Sequence, residues 1–318
     1  MDGRGGATGR IAIDDLDRRL IELLCADGRA ALTGLGRAVG LSADAVRERL
    51  KRLEGNGVLR VLGSVDPAAL GYHAFGLSLL RVNGPVAPVA AALAEVPEID
   101  FVVCVGGRGD LLAEVVARDA GHLFELLDEH VRAHPAVVSC ETFRYLGIGK
   151  WQPGGGFGPQ RVPGPGDAAA LDAHDRAIIG ALSRDGRLSY RELAERTGVP
   201  YSIARRRSIR LLESGTVTVV TVVNRMASGE RVQAAVGVRA SGPLDRVLDE
   251  VRRIDEVEVA VATTGRYDLL LDVACPSERA LTGLVTDRLR TLPGVTATEA
   301  LEYLKIFKLP VNWAIPAH

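Results

Sequence analysis

Residues Leu41–Leu59 read LSADAVRERLKRLEGNGVL, and this stretch decides the fold. Ser42 is a good N-cap, and Val46, Leu50 and Leu53 fall at i, i+4 and i+7, the apolar stripe of a short helix. The opposite face carries Asp44, Arg47, Glu48 and Lys51, with Arg49 and Arg52 on the flanks. Gly57 ends the helix and Val58-Leu59 opens a strand. Two apolar helices come before it, Leu16–Leu24 and Leu32–Val39, with Gly40 as the turn. Three helices and a following strand describe a winged helix-turn-helix, whose third helix enters the DNA major groove by its N-terminal half. A small bundle with a solvated basic face has the same local pattern, so the rest of the chain must decide.

The chain is one unit written twice. An offset of 158 residues takes Asp17-Arg18 to Asp175-Arg176 and Asp27-Gly28-Arg29 to Asp185-Gly186-Arg187. The same step takes Leu35 to Leu193, Gly57 to Gly215, Asp110-Leu111-Leu112 to Asp268-Leu269-Leu270, and Tyr145 and Lys150 to Tyr303 and Lys308. A bundle that matched by chance would not carry the rest of the unit in register.

After each helix-turn-helix the order is β-α-β-β-α-β. In the first unit the strands are expected over Gly71–Val82, Ile99–Val105, Asp110–Val116 and Val137–Tyr145, with helices over Val86–Ala94 and Ala120–Arg132. In the second they are Arg231–Val238, Val257–Ala262, Tyr267–Val273 and Val295–Ile306, with helices Leu244–Arg253 and Glu278–Thr291. This is the ferredoxin-like motif, a four-stranded antiparallel sheet with both helices on one face, so the fold class is α+β. The other face stays apolar in places and needs a cover, most economically another such sheet. The expected organisation is winged helix-turn-helix 1–62, ferredoxin-like domain 63–150, linker 151–170, second winged helix-turn-helix 171–224, second ferredoxin-like domain 225–308 and tail 309–318. The linker WQPGGGFGPQRVPGPGDAAA is half Gly or Pro. A coil of that length reaches on the order of 25 Å, enough to let the units meet.

With 318 residues, 47% hydrophobic and 25% charged, the composition is that of a soluble globular protein. A net charge of −1 gives no whole-molecule attraction to nucleic acid, so any DNA site must be a local patch. Two such patches exist. Between Arg29 and Arg60, and again between Arg187 and Val217, seven Lys or Arg stand against three Asp or Glu. No apolar run is long enough to span a membrane and no secretory signal is present, so the expected location is cytoplasmic. Cys25, Cys104, Cys140 and Cys275 lack CxxC spacing and read as buried thiols of a reducing compartment.

A winged helix-turn-helix joined to a βαββαβ domain resembles the Lrp/AsnC family of transcription regulators. The residues that carry the resemblance are Leu41-Ser42, Arg49–Glu54, Gly57-Val58-Leu59 and Asp66–Tyr72. Gly265–Leu271 resembles the family's effector-loop motif, as does Gly107–Leu112 less closely, and Pro135–Lys150 and Pro293–Lys308 resemble its last strand. The resemblance covers nearly all of 14–150 and 171–308, in a tandem form. It implies a sequence-specific regulator that binds double-stranded DNA, self-associates through its sheet (RAM-type) domains, needs no cofactor, and responds to a small effector such as an amino acid. The DNA-binding residues expected are Ser42, Asp44, Arg47, Arg49, Lys51 and Arg52 in the first unit and Arg205, Arg206, Arg207 and Arg210 in the second. The second recognition helix has Ser208 at the place of core Leu50 and Pro200-Tyr201 at its start, and reads as a phosphate holder with weaker base readout. The effector residues expected are Gly107, Arg108, Asp110, Gly265, Arg266, Tyr267 and Asp268. Gly109 stands where the second loop has Tyr267, so the two pockets should differ.

Other chemistry is thin. Gly106, Gly107 and Gly109 lack the spacing and the Lys-Ser/Thr of a phosphate loop and suit a β-β connection. His122, His130 and His134 have no carboxylate or Cys set to complete a metal site. Siroheme decarboxylases share this architecture, but resemble one another by a His after the wing and a Trp-Pro-Tyr-Asn stretch. Residues 63–67 and 104–111 contain no His, Trp or Tyr. The reading is a regulator, not an enzyme.

Overall fold

The computed structural model describes residues 13–65, 67–151, 171–224 and 232–309. Of the expected linker and tail, only Trp151 and Leu309 lie among them.

Asp14 caps α1 (Asp15–Ala26) by accepting from the Asp17 N–H at 2.8 Å, and Asp17 returns the bond to the Asp14 N–H. α2 (Leu32–Val39) ends at Gly40 in the left-handed conformation, and α3 (Ala43–Gly55) starts from Ser42, which accepts from the Ala45 N–H. Leu20, Leu24, Leu35, Val46, Leu50 and Leu53 form the core between them. In the second unit α6 (Ala173–Leu182), α7 (Tyr190–Thr197) and α8 (Tyr201–Glu213) repeat the arrangement around Ile178, Leu182, Leu193 and Leu211. Ser208 is 0% exposed in this core, and its Oγ has no hydrogen-bond partner among the described residues.

The strand after each recognition helix does not make a wing with its own unit. β1 (Leu59–Val65) and β6 (Val217–Val223) pair antiparallel with each other, Leu59 opposite Val223 and Val65 opposite Val217, as a two-stranded ribbon. The repeated Asp-Gly-Arg turns lock the same junction. Arg29 donates to the carbonyls of Gly186 (2.7 Å) and Leu188 (3.0 Å), and Arg187 to those of Gly28 (2.6 Å) and Ala30 (2.8 Å). The turns approach so closely that a Cβ on Gly28 would stand 2.8 Å from Val219, and one on Gly186 2.8 Å from the Leu62 backbone.

The two sheets also meet. The first unit contributes β2 (Ala74–Val82), α4 (Val86–Glu95), β3 (Ile99–Gly106), β4 (Leu111–Ala117), α5 (Ala120–Leu126, continued by a π turn to Arg132) and β5 (Val137–Trp151). The second contributes β7 (Val232–Ala240), α9 (Leu244–Arg252), β8 (Val257–Thr263), β9 (Leu269–Cys275), α10 (Glu278–Gly283, continued by short π and 3₁₀ turns to Thr291) and β10 (Val295–Lys308). Within each unit the strand order is that of the ferredoxin-like fold. Between units β10 pairs with β3 and β5 with β8, which closes an eight-stranded barrel in the order β10-β3-β4-β2-β5-β8-β9-β7. Sheet covers sheet, as the apolar faces require, but within one chain and by joining edges. Closure leaves no open edge in the barrel sheet among the described residues, so that sheet offers no template for aggregation.

This closure explains why β5 runs past its expected end at Tyr145. Tyr145 to Trp151 pair with Thr263 to Val259 of the other unit, the strand running on through Gly147 and Gly149. Lys150 then donates to the Ile254 carbonyl at 2.8 Å, and its counterpart Lys308 to the Val96 carbonyl at 2.7 Å, each at the end of the other unit's first sheet helix. The barrel interior is packed with Leu77, Phe101, Val103, Phe143, Val261 and Leu270. Two carboxylate–tyrosine pairs lie among them: the Tyr145 hydroxyl donates to Glu114 at 2.6 Å and the Tyr303 hydroxyl to Asp272 at 3.3 Å. All four line a cavity of about 50 Å³. Of the thiols expected to be buried, Cys275 is; Cys25, Cys104 and Cys140 are half-buried, and none of the four forms a disulfide among the described residues.

Candidate nucleic-acid interface and effector loops

The recognition helices divide their charges between two jobs. In α3 the inner-flank arginines turn back onto α1. Arg49 bonds Asp14 at 2.6 Å and Asp17 at 2.8 Å, and Arg52 bonds the other Asp17 oxygen. Asp17 is 0% exposed, so its charge is sustained by these two guanidiniums together with the cap. The bond to Arg49 holds the Asp14 carboxyl below its ordinary range, and Asp14 and Asp17 together raise Arg49. In α8 the same device recurs: Arg207 bonds Asp172 at 2.6 Å and Asp175 at 3.0 Å, and Arg210 bonds Asp175 at 2.7 Å. Hydrogen bonding, first to Asp175 and then to Asp172, raises Arg207.

Four of the residues expected at the DNA are engaged in this way. Arg49, Arg52, Arg207 and Arg210 brace the recognition helix against the first helix of its own motif. On the outward face of α3, Arg47 pairs with Asp44 one turn away and both are exposed, as is Lys51. Ser42 is engaged as the cap. On α8, Arg205 and Arg206 are exposed and form no ion pair among the described residues. The outward sets are therefore Asp44, Arg47 and Lys51 in one helix and Arg205 and Arg206 in the other.

The two glycine loops lie at the ends of the barrel strands. Gly107 (φ 123°) and Gly265 (φ 109°) occupy conformations that favour glycine. Asp110 and Asp268 do not point to an open pocket with both oxygens. Asp110 accepts from the Val82 N–H and Asp268 from the Ala240 N–H, each at 2.8 Å, which fastens the loop to the neighbouring strand end. The arginines cross between units. Arg266 bonds Glu141 at 3.1 Å, and Arg108 approaches Glu299 at 3.5 Å. The Tyr267 hydroxyl donates to Glu299 at 2.6 Å; burial first and that bond second raise its pKa. Thus Arg108, Tyr267 and Glu299 converge, whereas the opposite end has Arg266 and Glu141 with Gly109 in place of the tyrosine. Glu141 and Glu299 were visible in the sequence only as repeated positions.

The histidines do not gather. His122 and His134 each accept a backbone N–H of their own loop at Nδ1, both at 3.2 Å. Among the described residues no cluster of three or more His, Cys, Asp or Glu could hold a metal ion, and no helix is long and apolar enough to cross a membrane.

Comparison with known proteins follows this division of the chain. Residues 13–54 and 171–212 each match the AsnC-type helix-turn-helix domain, and residues 233–310 match the Lrp/AsnC ligand binding domain. Residues 81–154 match a C-terminal dimeric alpha+beta barrel domain. The HTH-type transcriptional regulator FL11 of Pyrococcus abyssi is 34% identical over 139 residues, 91% of that protein and 43% of this chain. The chain belongs to the Lrp/AsnC family of transcriptional regulators. A second relative, the HTH-type transcriptional regulator LrpA of Mycobacterium tuberculosis, is 34% identical over 134 residues, 89% of that protein and 41% of this chain. Since one relative spans less than half of it, this Lrp/AsnC chain is the tandem form. The siroheme decarboxylase NirDL shares the fold over 93% of both chains with a TM-score of 0.59, at 14% identity.

Proposed function

We propose that this Lrp/AsnC chain binds double-stranded DNA sequence-specifically with both helix-turn-helix motifs at once and that a small effector, such as an amino acid, acts at the barrel loops. The observation that carries the DNA reading is the reciprocal Arg29–Arg187 clamp with the β1–β6 ribbon. It fixes two recognition helices on one pseudo-two-fold frame, the arrangement by which paired motifs meet successive half-sites. Arg47 and Lys51 of α3 and Arg205 and Arg206 of α8 are the contacts, with Asp44 able to accept from a base amine. Binding should be steeply salt-dependent. Electrophoretic shifts of the full chain on fragments of its own genome test this; equal affinity for all fragments would remove the claim of specificity.

For the effector, the reading is supported by the convergence of Arg108, Tyr267 and Glu299. An amino acid's carboxylate would take Arg108, and its ammonium would take Glu299 rather than Asp268, which holds the loop. Gly107, Gly265, Arg266 and Asp110 shape the two loops. Calorimetry with the twenty amino acids checks it; binding unchanged by Arg108→Ala would count against this site.

An enzymatic reading rests on the fold shared with NirDL. Against it, a ligand of tetrapyrrole size needs a pocket of several hundred Å³, and the interior cavity here measures about 50 Å³. Uptake of tetrapyrrole colour by the purified protein would revive it.

A further inference from the structure

The two recognition helices agree where they face inward and disagree where they face out. The bracing arginines repeat, Arg49 with Arg207 and Arg52 with Arg210, as do their aspartate partners. On the outward face only Arg47 and Arg205 correspond. Ala43 is replaced by Tyr201, Asp44 by Ser202, Glu48 by Arg206 and Lys51 by Ile209.

These exchanges change the chemistry offered to a base pair. α3 presents two carboxylates beside Arg47 and Lys51, and Asp44 holds Arg47 in an ion pair. Carboxylates accept from the amino groups of cytosine or adenine in the major groove. α8 has no carboxylate on that face. Tyr201, 54% exposed in its first turn, Arg205 and the half-buried Ile209 follow at i, i+4 and i+8 along one stripe. An aromatic and a branched aliphatic side chain flanking an arginine suit a guanine beside thymine methyl groups. Tyr201 is also an exposed large hydrophobic group on a helix that could have kept the alanine of its counterpart.

We propose that the chain reads an asymmetric DNA element in a single orientation, with α8 specifying a thymine-containing half-site through Tyr201, Arg205 and Ile209 and α3 specifying an unlike half. This rests on the DNA-binding reading above. The orientation is fixed within each chain, because the ribbon and clamp join one copy of each helix on one polypeptide.

The test is selection of random-sequence duplexes by the full chain, followed by sequencing. The wild type should enrich a directional consensus with two unlike halves. Tyr201→Ala should weaken the preference for thymine in one half by about tenfold and leave the other half unchanged. The fourfold variant Tyr201→Ala, Ser202→Asp, Arg206→Glu and Ile209→Lys, which gives α8 the outward face of α3, should turn the consensus into a palindrome of the α3 half. A palindromic wild-type consensus, or one that Tyr201→Ala leaves intact in both halves, overturns the inference while DNA binding stands. Enrichment of nothing by the wild type would overturn both.

Discussion

Tyr267 lies directly against Gly237, so closely that a Cβ on the glycine would stand 2.5 Å from the ring. In the other unit the roles are exchanged: Leu79 occupies the strand position, and a Cβ on Gly109 of the loop would collide with it. Each unit fills one space with one large side chain, supplied by the loop in one case and the strand in the other. Gly237→Leu alone should therefore overpack the site and lower stability by roughly 1–3 kcal/mol. Combining it with Tyr267→Gly copies the first unit and should recover most of that loss. Chemical denaturation of the four-member cycle measures it, and strictly additive costs would show that the two positions do not share the space.

The clamp between the motifs makes a second prediction. Arg187 is half-buried, with two backbone carbonyls as partners, and burial lowers its pKa. Arg187→Ala leaves the Gly28 and Ala30 carbonyls without these charged donors, a loss of about 2–4 kcal/mol. DNA affinity should fall with it, because the two helices lose their common frame. Unfolding by urea and a shift assay on the same preparation check both.

Bracing and contacting residues should separate by stability. Asp17→Ala leaves two arginines without their buried partner and removes half of a capping box, so it should cost about 3 kcal/mol or more. Arg47→Ala should leave the melting temperature within a degree or two of wild type but cost about 1–3 kcal/mol of binding if Arg47 meets a base. A stable Asp17→Ala protein would contradict the bracing assignment.

The barrel interior predicts a pH dependence. Burial raises the Glu114 carboxyl, offset in part by the Tyr145 hydroxyl; burial and then the nearby Glu258 charge raise Asp272 well above its usual value. An acid whose pKa rises on folding binds its proton more tightly in the folded state. Its contribution is complete below its unfolded pKa, about 4, and is lost as pH rises through the folded value. Asp14 and Asp172 are lowered and act in the opposite sense, losing stability on acidification. The difference between wild type and Glu114→Gln/Asp272→Asn isolates the interior pair. The variant should gain melting temperature on the wild type as pH rises from 4 to 8, and parallel curves would show that the pair does not titrate in this window.

Residues 13–151 and 171–309, expressed apart, should each expose two strand edges and recombine on mixing into one barrel. If each forms a tight homodimer and the two do not pair, the closure within one chain is not the favoured assembly.

Much of this architecture is legible in the sequence, because a repeat at fixed offset reports two copies of a fold whose helices and strands have strong periodicity. What the sequence conceals is which partner a side chain meets. Arg49 and Arg52 stand on a basic helix, and only the packing of α1 against α3 brings Asp14 and Asp17 beneath them. Their joint recurrence with Asp172, Asp175, Arg207 and Arg210 was the available signal, since a brace must repeat as a set. The extension of β5 is visible only in the family resemblance of Pro135–Lys150: Gly147 and Gly149 interrupt the side-chain pattern of the strand after Tyr145, and pairing with β8 carries it through them. The capture of Asp110 and Asp268 by backbone N–H groups likewise depends on the neighbouring strand end.

The barrel's closing seam joins β3 to β10, strands separated by nearly two hundred residues of chain. On the ribosome, the first unit must wait for the second before its edges are covered. At a synthesis rate of about 5–20 residues per second, that interval is on the order of ten to forty seconds. During it, β3 and β5 of one nascent chain could pair with those of a neighbouring nascent chain on the same message, giving a linked dimer in place of two self-closed monomers. The order in which the halves are made thus competes with the proximity that their covalent link provides.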